Sequence, residues 1–340
     1  MRRSIEHLNI AAFAARFLES CGHVDGTGKA DAGETVVFGR ELEHVIAQTY
    51  DVKYAETAWR RFVPTELVPL GTDQVTYRQF DMLGEAEFVD IDAMDFPRVE
   101  IKGSEFSTGF ASIGASYGYS IGDWRSAQKA GRPLDAMKAR AAREVMERKL
   151  DKIACIGDTT HNLKGLSNQA NVTLATVGST TGFEKVWLPE GGGTLATPAE
   201  VYTALALAIR NVRDASKNIF TDGFTVLLPT KLMNYCTSTL FRPTYGDATL
   251  MEMLKKIAGI SSIETWNRLD TAGADSKGRV VIYKRDPELV KQYMCPDFES
   301  FPPEVRSRTF NVDCHARPGT VVMPYPKSGY YIDGLGGSVS

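Results

Sequence analysis

Three aspartates have a spacing that could hold a metal ion. Asp90, Asp92 and Asp95 occur within one short segment of the chain. Carboxylate oxygens grouped in this way bind divalent cations such as Ca²⁺ or Mg²⁺. Two other interpretations are open: the segment is a solvated loop, or its acids meet basic side chains across an interface. A nucleotide-sugar site of the DxD type would need preceding α/β nucleotide-binding units, and the sequence indicates none.

Two cysteines lie close to histidines. Cys155 precedes His161 by six residues, and Cys314 is adjacent to His315. A cysteine and a histidine can act as nucleophile and base. Cys155, however, falls in the apolar last turn of a predicted helix, where inert core thiols are typical. Adjacent strand side chains point to opposite faces, so Cys314 and His315 cannot pair with each other. A cysteine-dependent hydrolase is kept as the most distant alternative.

Other motifs of catalysis or cofactor binding are missing from the sequence. The five histidines show no HExxH or other metal spacing, and the turn-rich residues 22–33 match neither a P-loop nor a calcium loop. The five cysteines are scattered without a CxxC pair, which is typical of reduced core residues in a protein folded in a cytosol. We predict no enzymatic activity and no cofactor.

Composition excludes several further classes of protein. The chain of 340 residues is long enough for a large core and two subdomains, and its net charge is −3. Balanced charge gives no sign of a general nucleic-acid-binding surface. No apolar run approaches the ~18 residues of a membrane span. The basic start of residues 1–18 resembles a secretion signal, but polar residues interrupt the apolar part, so we reject that interpretation.

The longest helical pattern lies at residues 133–158. Pro133 and Asp135 mark its start and Gly157 its end, which predicts a helix at 134–156. Its apolar residues recur at helical spacing and predict one broad buried stripe: Met137, Ala141, Ala142, Val145, Met146, Leu150 and Ile153. The opposite face, which includes Asp151, is charged. On this basis Val145→Asp would abolish the soluble folded subunit.

Residues 75–106 show the period-two alternation of strands and predict a long two-stranded ribbon. An isolated ribbon is marginal in water, so this one should be held by contact with another subunit. Deleting residues 81–98 should therefore leave a folded subunit that assembles poorly. The candidate assembly residues are Arg98, Lys102 and Glu105 on the ribbon, and Met137, Ala141, Val145 and Leu150 on the long helix.

The remaining segments flank these two elements. Helical patterns at 5–21 and 41–61 surround the glycine-rich residues 22–33 and predict an arm without a core of its own. Residues 111–122 predict a strand whose small residues allow close approach of another element. Thr197 and Glu200 form a capping box that begins a helix at 198–215. Strands and helices alternate up to residue 285, which indicates an inserted α/β unit, and strands follow at 310–335.

Several segments, in a shared order, resemble the major capsid proteins of tailed bacteriophages. The matching stretches are ELEHVIAQTYDVKY (41–54), YRQFDMLGEAEFVD (77–90), PRVEIKGSEF (97–106), SIGASYGYSI (112–121), the long helix with IGDTTHNLKGL (156–166), and CHARPGTVV (314–322). They extend over most of the chain from about residue 34 to residue 335. Residues 1–33 and 182–197 match less clearly.

The resemblance implies the α+β capsid fold that tailed phages share with herpesviruses. The implied parts are an N-terminal arm (1–66), an extended β-ribbon loop (67–110), a peripheral domain with a spine helix (111–197, helix 134–156), an inserted α/β axial domain (198–285), and C-terminal strands of the peripheral domain (286–340). Some relatives cross-link their shells through Lys and Asn side chains, and Lys102 lies on the ribbon.

The implied function is self-assembly of hexamers and pentamers into an icosahedral head shell around double-stranded DNA, bound without sequence specificity. The implied partners are further copies of the protein itself and scaffold, portal and cement proteins. No membrane is implied as a partner. The protein would assemble in the bacterial host cytoplasm and reside in the virion. An encapsulin-like compartment that encloses cargo enzymes is the nearest alternative. A tail or decoration protein, forming tubes, rings or surface trimers, is another.

Overall fold

The computed structural model describes residues 54–88, 98–188, 194–242 and 248–335. The predicted helix at 5–21, the glycine-rich residues 22–33, most of the predicted helix at 41–61 and the aspartates Asp90, Asp92 and Asp95 lie outside these ranges. The helices in the described residues are α1 (Trp59–Phe62), α2 (Ile121–Lys129), α3 (Leu134–Cys155), α4 (Pro198–Ala215), α5 (Thr230–Ser238) and α6 (Leu250–Leu254).

The strands of the first half are β1 (Thr65–Leu67), β2 (Gln74–Leu83), β3 (Glu100–Gly109), β4 (Ile113–Ser120), β5 (Gly157–Asp158), β6 (Leu163–Lys164) and β7 (Thr173–Thr176). Those of the second half are β8 (Phe224–Leu228), β9 (Ile260–Thr265), β10 (Val280–Lys284), β11 (Lys291–Met294), β12 (Glu299–Ser300), β13 (Glu304–Arg306), β14 (Thr309–Ala316), β15 (Pro318–Val322) and β16 (Gly329–Asp333).

A five-stranded sheet with the order β7-β16-β10-β8-β9 forms the largest core. Its inner strand β8, which lies between β10 and β9, is buried along its whole length, as the apolar run FTVLL predicts for a strand covered on both faces. The apolar side of α4 packs on one face, where Leu205, Ile209 and Val212 meet Val226 and Ile282. The other face, which includes Leu227 and Tyr283, packs against Leu150 of α3 and Trp266. The sheet is thus the middle of three layers.

A second sheet is built on the strand pair β4 and β14, with β12 and β13 along the other edge of β14. The register runs from Ser120 opposite Thr309 to Ile113 opposite Ala316. One face of this sheet packs on the first half of α3, where Ala142 and Met146 contact Cys314 and Ala316. The helix α3 therefore connects the two sheets. A third sheet consists of β1, β11 and β15.

The buried side of α3 is narrower than the sequence predicts. Ala142, Met146, Leu150 and Ile153 are buried as predicted, but Ala141 is exposed, and Met137 and Val145 are 48% and 55% exposed. The prediction that Val145→Asp would place a charge in the subunit core is therefore wrong. The burial of Asp151, which we assigned to the charged face, is a second correction. The Asp151 carboxylate is hydrogen-bonded to Trp266 and Arg268, which are distant in the sequence.

The predicted strand at 111–122 is also corrected. The strand ends at Ser120, and residues from Ile121 onward form the helix α2. Its start is a capping box in which the Asp123 amide donates to the Ser120 hydroxyl oxygen and the Ser120 amide donates to the Asp123 carboxylate. This S-x-x-D pattern was readable in the sequence, but the alternating small residues before it favoured an extended strand.

The described part of the predicted helix at 41–61 is a further correction. Residues 54–58 are not helical, and only the short helix α1 forms there, with Trp59 and Phe62 packed into the core. Other predicted elements agree with the structure. Helix α4 has the predicted bounds, and its Thr197 and Glu200 capping box is formed. The five-stranded sheet also takes β7 and β16 from outside residues 198–285. The division into arm, loop, peripheral and axial domains stays a prediction. No helix in the described part of the chain is long and apolar enough to cross a membrane.

Candidate assembly surfaces

The ribbon predicted at 75–106 is formed by β2 and β3. The two strands pair antiparallel in unbroken register, from Gln74 opposite Gly109 to Leu83 opposite Glu100. Near its base the rings of Tyr77 and Phe106 stack with 5.3 Å between their centroids. Cross-strand aromatic pairs of this kind stabilise a sheet locally. They hold the base of a ribbon that has only two strands.

One face of the ribbon carries exposed apolar side chains toward its far end. Phe80, Met82 and Ile101 share this face because strand side chains alternate, and they are 67%, 79% and 67% exposed. Val99, just before β3, is also exposed. Phe80 lies across from Gly103, so its ring has no opposing side chain. Phe80, Met82, Val99 and Ile101 together are called the ribbon patch below. The alternation of Val99 and Ile101 with charged residues was the sequence signal for two of these residues. Phe80 and Met82 were missed, because the alternation of Val75 and Tyr77 before them marks the opposite face of β2 as the apolar one.

The base of the ribbon lies next to the body of the protein. Tyr77, Gln79 and Phe106 form one wall of an open cleft of about 670 Å³. Residues of the 161–171 segment and of the stretch 320–326 form the remaining walls. The patch residues do not line this cleft, and their exposure shows that the described part of the body does not cover the apolar far end of the ribbon.

The three ribbon residues predicted for assembly have different surroundings. The guanidinium of Arg78 and the carboxylate of Glu105 are 2.7 Å apart, so Glu105 is paired within its own ribbon. Lys102 and Arg98 are exposed and make no ion pair with other described residues. Lys102 lies opposite Asp81 in the register. Two of the three residues are therefore available to a partner.

The four helix residues predicted for assembly are not equivalent either. Met137, Ala141 and Val145 form an exposed apolar line along α3. Leu150 is only 2% exposed and packs with Trp59 and Trp266 in the core. Leu150 therefore contributes to folding of the subunit, whereas the other three residues can contact a second molecule.

A buried polar cluster fixes α3 to distant segments. The indole nitrogen of Trp266 donates to Asp151 at 3.0 Å, and Nε of Arg268 lies 2.8 Å from the same carboxylate. One turn earlier, Glu147 accepts a hydrogen bond from the indole nitrogen of Trp59 at 3.0 Å. Burial of the Asp151 carboxylate is tolerated because it is both hydrogen-bonded and paired with a cation.

A second buried cluster joins residues 166–167 to the five-stranded sheet, and the Ser167 hydroxyl donates to the carbonyl of Cys155 at the end of α3. Nε and Nη2 of Arg279 donate to the two carboxylate oxygens of Asp333 at 2.5 and 2.6 Å. Arg279 also donates to the carbonyl of Ser167, and its guanidinium lies 5.1 Å from the ring centroid of Tyr331. Desolvation raises the pKa of the Tyr331 hydroxyl, which donates to the carbonyl of Leu166 at 2.5 Å. These contacts hold residues 166–167 against the five-stranded sheet.

The geometry does not favour the hydrolase alternative. Cys155 is fully buried, and desolvation raises the pKa of its thiol well above the ordinary value, which disfavours the nucleophilic thiolate. His161, its predicted partner, instead has Nδ1 3.2 Å from the Asp158 carboxylate. Cys314 is buried and His315 is partly exposed, as expected for adjacent strand residues. Among the described residues no group of acidic, histidine and cysteine side chains could hold a metal ion.

A long helix packed across two sheets and an extended two-stranded ribbon agree with the parts that the resemblance to phage capsid proteins implies. The family described as "Major capsid protein" matches residues 84–335, well over half of the chain. The chain belongs to this family. No curated protein sequence matches it.

Solved structures agree with this assignment at the level of fold. The capsid of Myoviridae phage XM1 matches with a TM-score of 0.73 and 15% identity, covering 88% of this chain and 99% of that chain. The capsid of a native GTA particle matches with a TM-score of 0.59 and 10% identity, covering 90% and 99%. A chain of Mycobacterium phage Che8 matches with a TM-score of 0.56 and 15% identity, covering 88% and 100%. The predicted tailed-phage capsid fold is confirmed.

Proposed function

We propose that this chain self-assembles as hexamers and pentamers into the icosahedral head shell of a tailed phage, and that the shell encloses double-stranded DNA. The observation that carries the proposal is the ribbon patch. A member of the capsid family presents adjacent large apolar side chains on a two-stranded ribbon, exposed at its far end. Contiguous exposed apolar surface of this kind marks an interaction site.

Burial of the ribbon patch on a neighbouring subunit would supply the driving force for assembly. Each large side chain contributes roughly 1.5–3 kcal/mol when it moves from water to a fully apolar environment. Part of this gain is offset by the cost of association. In a closed shell every subunit both gives and receives such a contact, so modest contacts add up to a stable container.

We also propose the partners of the assembling subunit and the place where the shell forms. Scaffold and portal proteins would guide closure of a precursor shell in the bacterial cytoplasm, and cement proteins would bind the mature head. DNA would be held without sequence specificity, because a container makes no use of base-edge contacts. The ribbon and α3 would shift relative to neighbouring subunits as the shell expands around the entering DNA.

A shortened ribbon tests the assembly proposal. Asp81 and Lys102 are opposite each other in the register, so residues 82–101 can be replaced by Asn-Gly, which closes a two-residue hairpin. We expect a folded subunit, judged by circular dichroism and thermal unfolding, that forms no closed shells in negative-stain microscopy. Normal shells from this variant would contradict the role of the ribbon. Replacing the adjacent exposed pair Lys255 and Lys256 by alanine is the control and should leave shells unchanged.

The content of the particles separates a phage head from an encapsulin-like compartment. Particles purified from infected cells should contain DNA that resists added nuclease until the shell is opened. Cryo-electron microscopy of the same particles should show fivefold vertices separated by sixfold capsomers. Particles that enclose a cargo protein and no nucleic acid would instead favour the compartment.

A further inference from the structure

We propose that the acidic far end of the ribbon docks on one particular surface of a second copy, a basic and aromatic surface beside α2. This inference rests on the proposed assembly and identifies the acceptor of the ribbon. The acceptor, called the basic surface below, consists of Trp124, Arg125, Lys129, Arg132, Arg306 and Arg308.

The basic surface is continuous because α2 and the hairpin of β13 and β14 meet at the end of β4. The amide of Ile121 donates to the carbonyl of Arg308 at 2.9 Å, which joins the start of α2 to the hairpin. Arg306 lies opposite Thr309, which in turn lies opposite Ser120. Arg125 and Lys129 are one helical turn apart on α2, and Arg132 follows in the turn before α3.

The cations of the basic surface have no acidic partner in the described part of the chain. Arg125, Lys129, Arg132, Arg306 and Arg308 are all exposed, and none has a carboxylate within ion-pair distance there. The acids nearby are Asp123, Asp135 and Glu304. The carboxylate of Asp123 is occupied by the capping box with Ser120, and these hydrogen bonds lower its pKa. Positive charge is therefore in excess.

The far end of the ribbon has the opposite charge. In the described residues 81–88 and 98–102, four acids (Asp81, Glu85, Glu87 and Glu100) outnumber two bases (Arg98 and Lys102). Of the acids that the structure describes, Glu85, Glu87 and Glu100 are exposed and make no ion pair with described residues. Complementary charge of this kind selects partners and orients them as they approach. The excess of acids over bases favours a basic partner over a second acidic surface.

The two surfaces are also matched in apolar character. A recess of about 290 Å³ lies in the basic surface, lined by Tyr119, Ile121, Trp124 and Phe310 together with Arg125. Trp124 is 46% exposed at its edge. The recess is smaller than most small-molecule sites, and it suits one or two large side chains. The ribbon patch offers such side chains in Phe80, Met82 and Ile101, and Phe88 follows it, fully exposed.

Variants that reverse the charges of the two surfaces test whether the far end of the ribbon docks on the basic surface. One variant carries Glu85→Lys and Glu87→Lys, and the other carries Lys129→Glu and Arg132→Glu. Each should lower the yield of shells at least about tenfold, because like charges would face each other. The chain that combines all four substitutions should recover yield to within about threefold of the unaltered protein. Normal shells from either parent variant, or no recovery in the combined chain, would overturn the inference.

Controls separate this inference from the proposed function. Lys255→Glu with Lys256→Glu reverses two exposed cations outside the basic surface and should assemble normally. If the unaltered chain forms no shells, the proposed function fails and the inference fails with it. If the unaltered chain forms shells but the charge exchange shows no compensation, only the inference fails. Variants of Lys129 and Arg132 that assemble normally but package less DNA would show a nucleic-acid surface and overturn it.

A carbodiimide reagent gives a direct measurement, because it couples carboxylates to amines that are in contact. Shells assembled from equal parts of ¹⁴N- and ¹⁵N-labelled subunits should yield mixed-isotope peptide pairs that join Glu85 or Glu87 to Lys129. The absence of these pairs in shells that give other cross-links between subunits would contradict the assignment.

Discussion

The body and the ribbon of this subunit use the same kinds of residue in opposite ways. In the body, Leu150 and Ile282 are buried, and the charges of Asp151 and Asp333 are paired with arginines. On the ribbon, Met82 is exposed, and Glu85 has no partner among described residues. Apolar side chains stabilise a structure when they are removed from water. In the body this burial takes place within one chain. Among the described residues nothing covers the far end of the ribbon, and a second chain can supply the same stabilisation there.

This difference separates two kinds of mutational effect. Substitutions in the body should change the free energy of unfolding of the subunit. Substitutions at the far end of the ribbon should change assembly and leave unfolding nearly unaltered. Paired substitutions in the two regions therefore distinguish effects on folding from effects on assembly.

Loss of a buried charge partner should have the largest effect. Arg279→Leu leaves the buried Asp333 carboxylate without its cation, which costs about 3–5 kcal/mol in comparable sites. Urea unfolding of the subunit measures the change. Lys102→Leu on the ribbon is the matched control and should shift the free energy of unfolding by less than about 0.5 kcal/mol. Equal effects of the two substitutions would remove the distinction between body and ribbon.

Truncation on α3 should depend on the face of the helix. Leu150→Ala removes a fully packed side chain and should cost about 2–5 kcal/mol. Val145→Ala, on the exposed face of the same helix, should cost less than about 1 kcal/mol. Val145→Asp should likewise give a soluble folded subunit. If Val145 faces a neighbouring subunit, this substitution should lower the yield of shells. An insoluble Val145→Asp subunit would show that this face is covered within the chain.

Polar substitution of the ribbon patch should affect assembly alone. Phe80→Ser with Met82→Ser should leave the free energy of unfolding within about 0.5 kcal/mol of the unaltered protein, because both side chains are already exposed. The yield of shells in sedimentation should fall at least about tenfold. A large loss of subunit stability would mean that these side chains pack on their own chain.

The smallest effect should be the acid sensitivity of α4. The hydrogen bond from Lys185, followed by that from the Thr197 amide, lowers the pKa of Glu200 to about 2. In the unfolded chain a glutamate has a pKa of about 4.3. The contribution of Glu200 is therefore present above about pH 4.3 and is lost as the pH falls toward 2. Glu200→Gln should make helix content less dependent on pH in that window, measured by circular dichroism. If the pH dependence of helix content is unchanged in this variant, the proposed contribution of the Glu200 carboxylate to α4 is contradicted.

Local signals in the sequence were sufficient for much of the fold. The capping box of Thr197 and Glu200 gives the start of α4, and Pro133 with Asp135 gives the start of α3. The alternation within 75–106 predicts two strands. Their pairing was predictable because the strands are neighbours in the sequence and form their backbone hydrogen bonds with each other. The resemblance of the ordered segments to phage capsid proteins predicts the family, which the match over residues 84–335 confirms.

Long-range contacts account for what the sequence did not show. The burial of Asp151 depends on Trp266 and Arg268, more than a hundred residues later in the chain. Val145 has the spacing of a core residue, but neither sheet extends over that side of α3 in the described residues. The parallel pairing of β7 with β16 joins strands more than 150 residues apart in the chain, and neither strand is informative alone.

Amide hydrogen exchange, measured in the free subunit and in assembled shells, shows whether the ribbon becomes ordered on a neighbouring subunit. We expect amides of β2 and β3 near Phe80 and Ile101 to exchange rapidly in the free subunit and at least about a hundredfold more slowly in the shell. Amides of β8 and β10 should be protected in both states. Ribbon amides that are equally protected in the free subunit, or equally unprotected in the shell, would contradict this expectation.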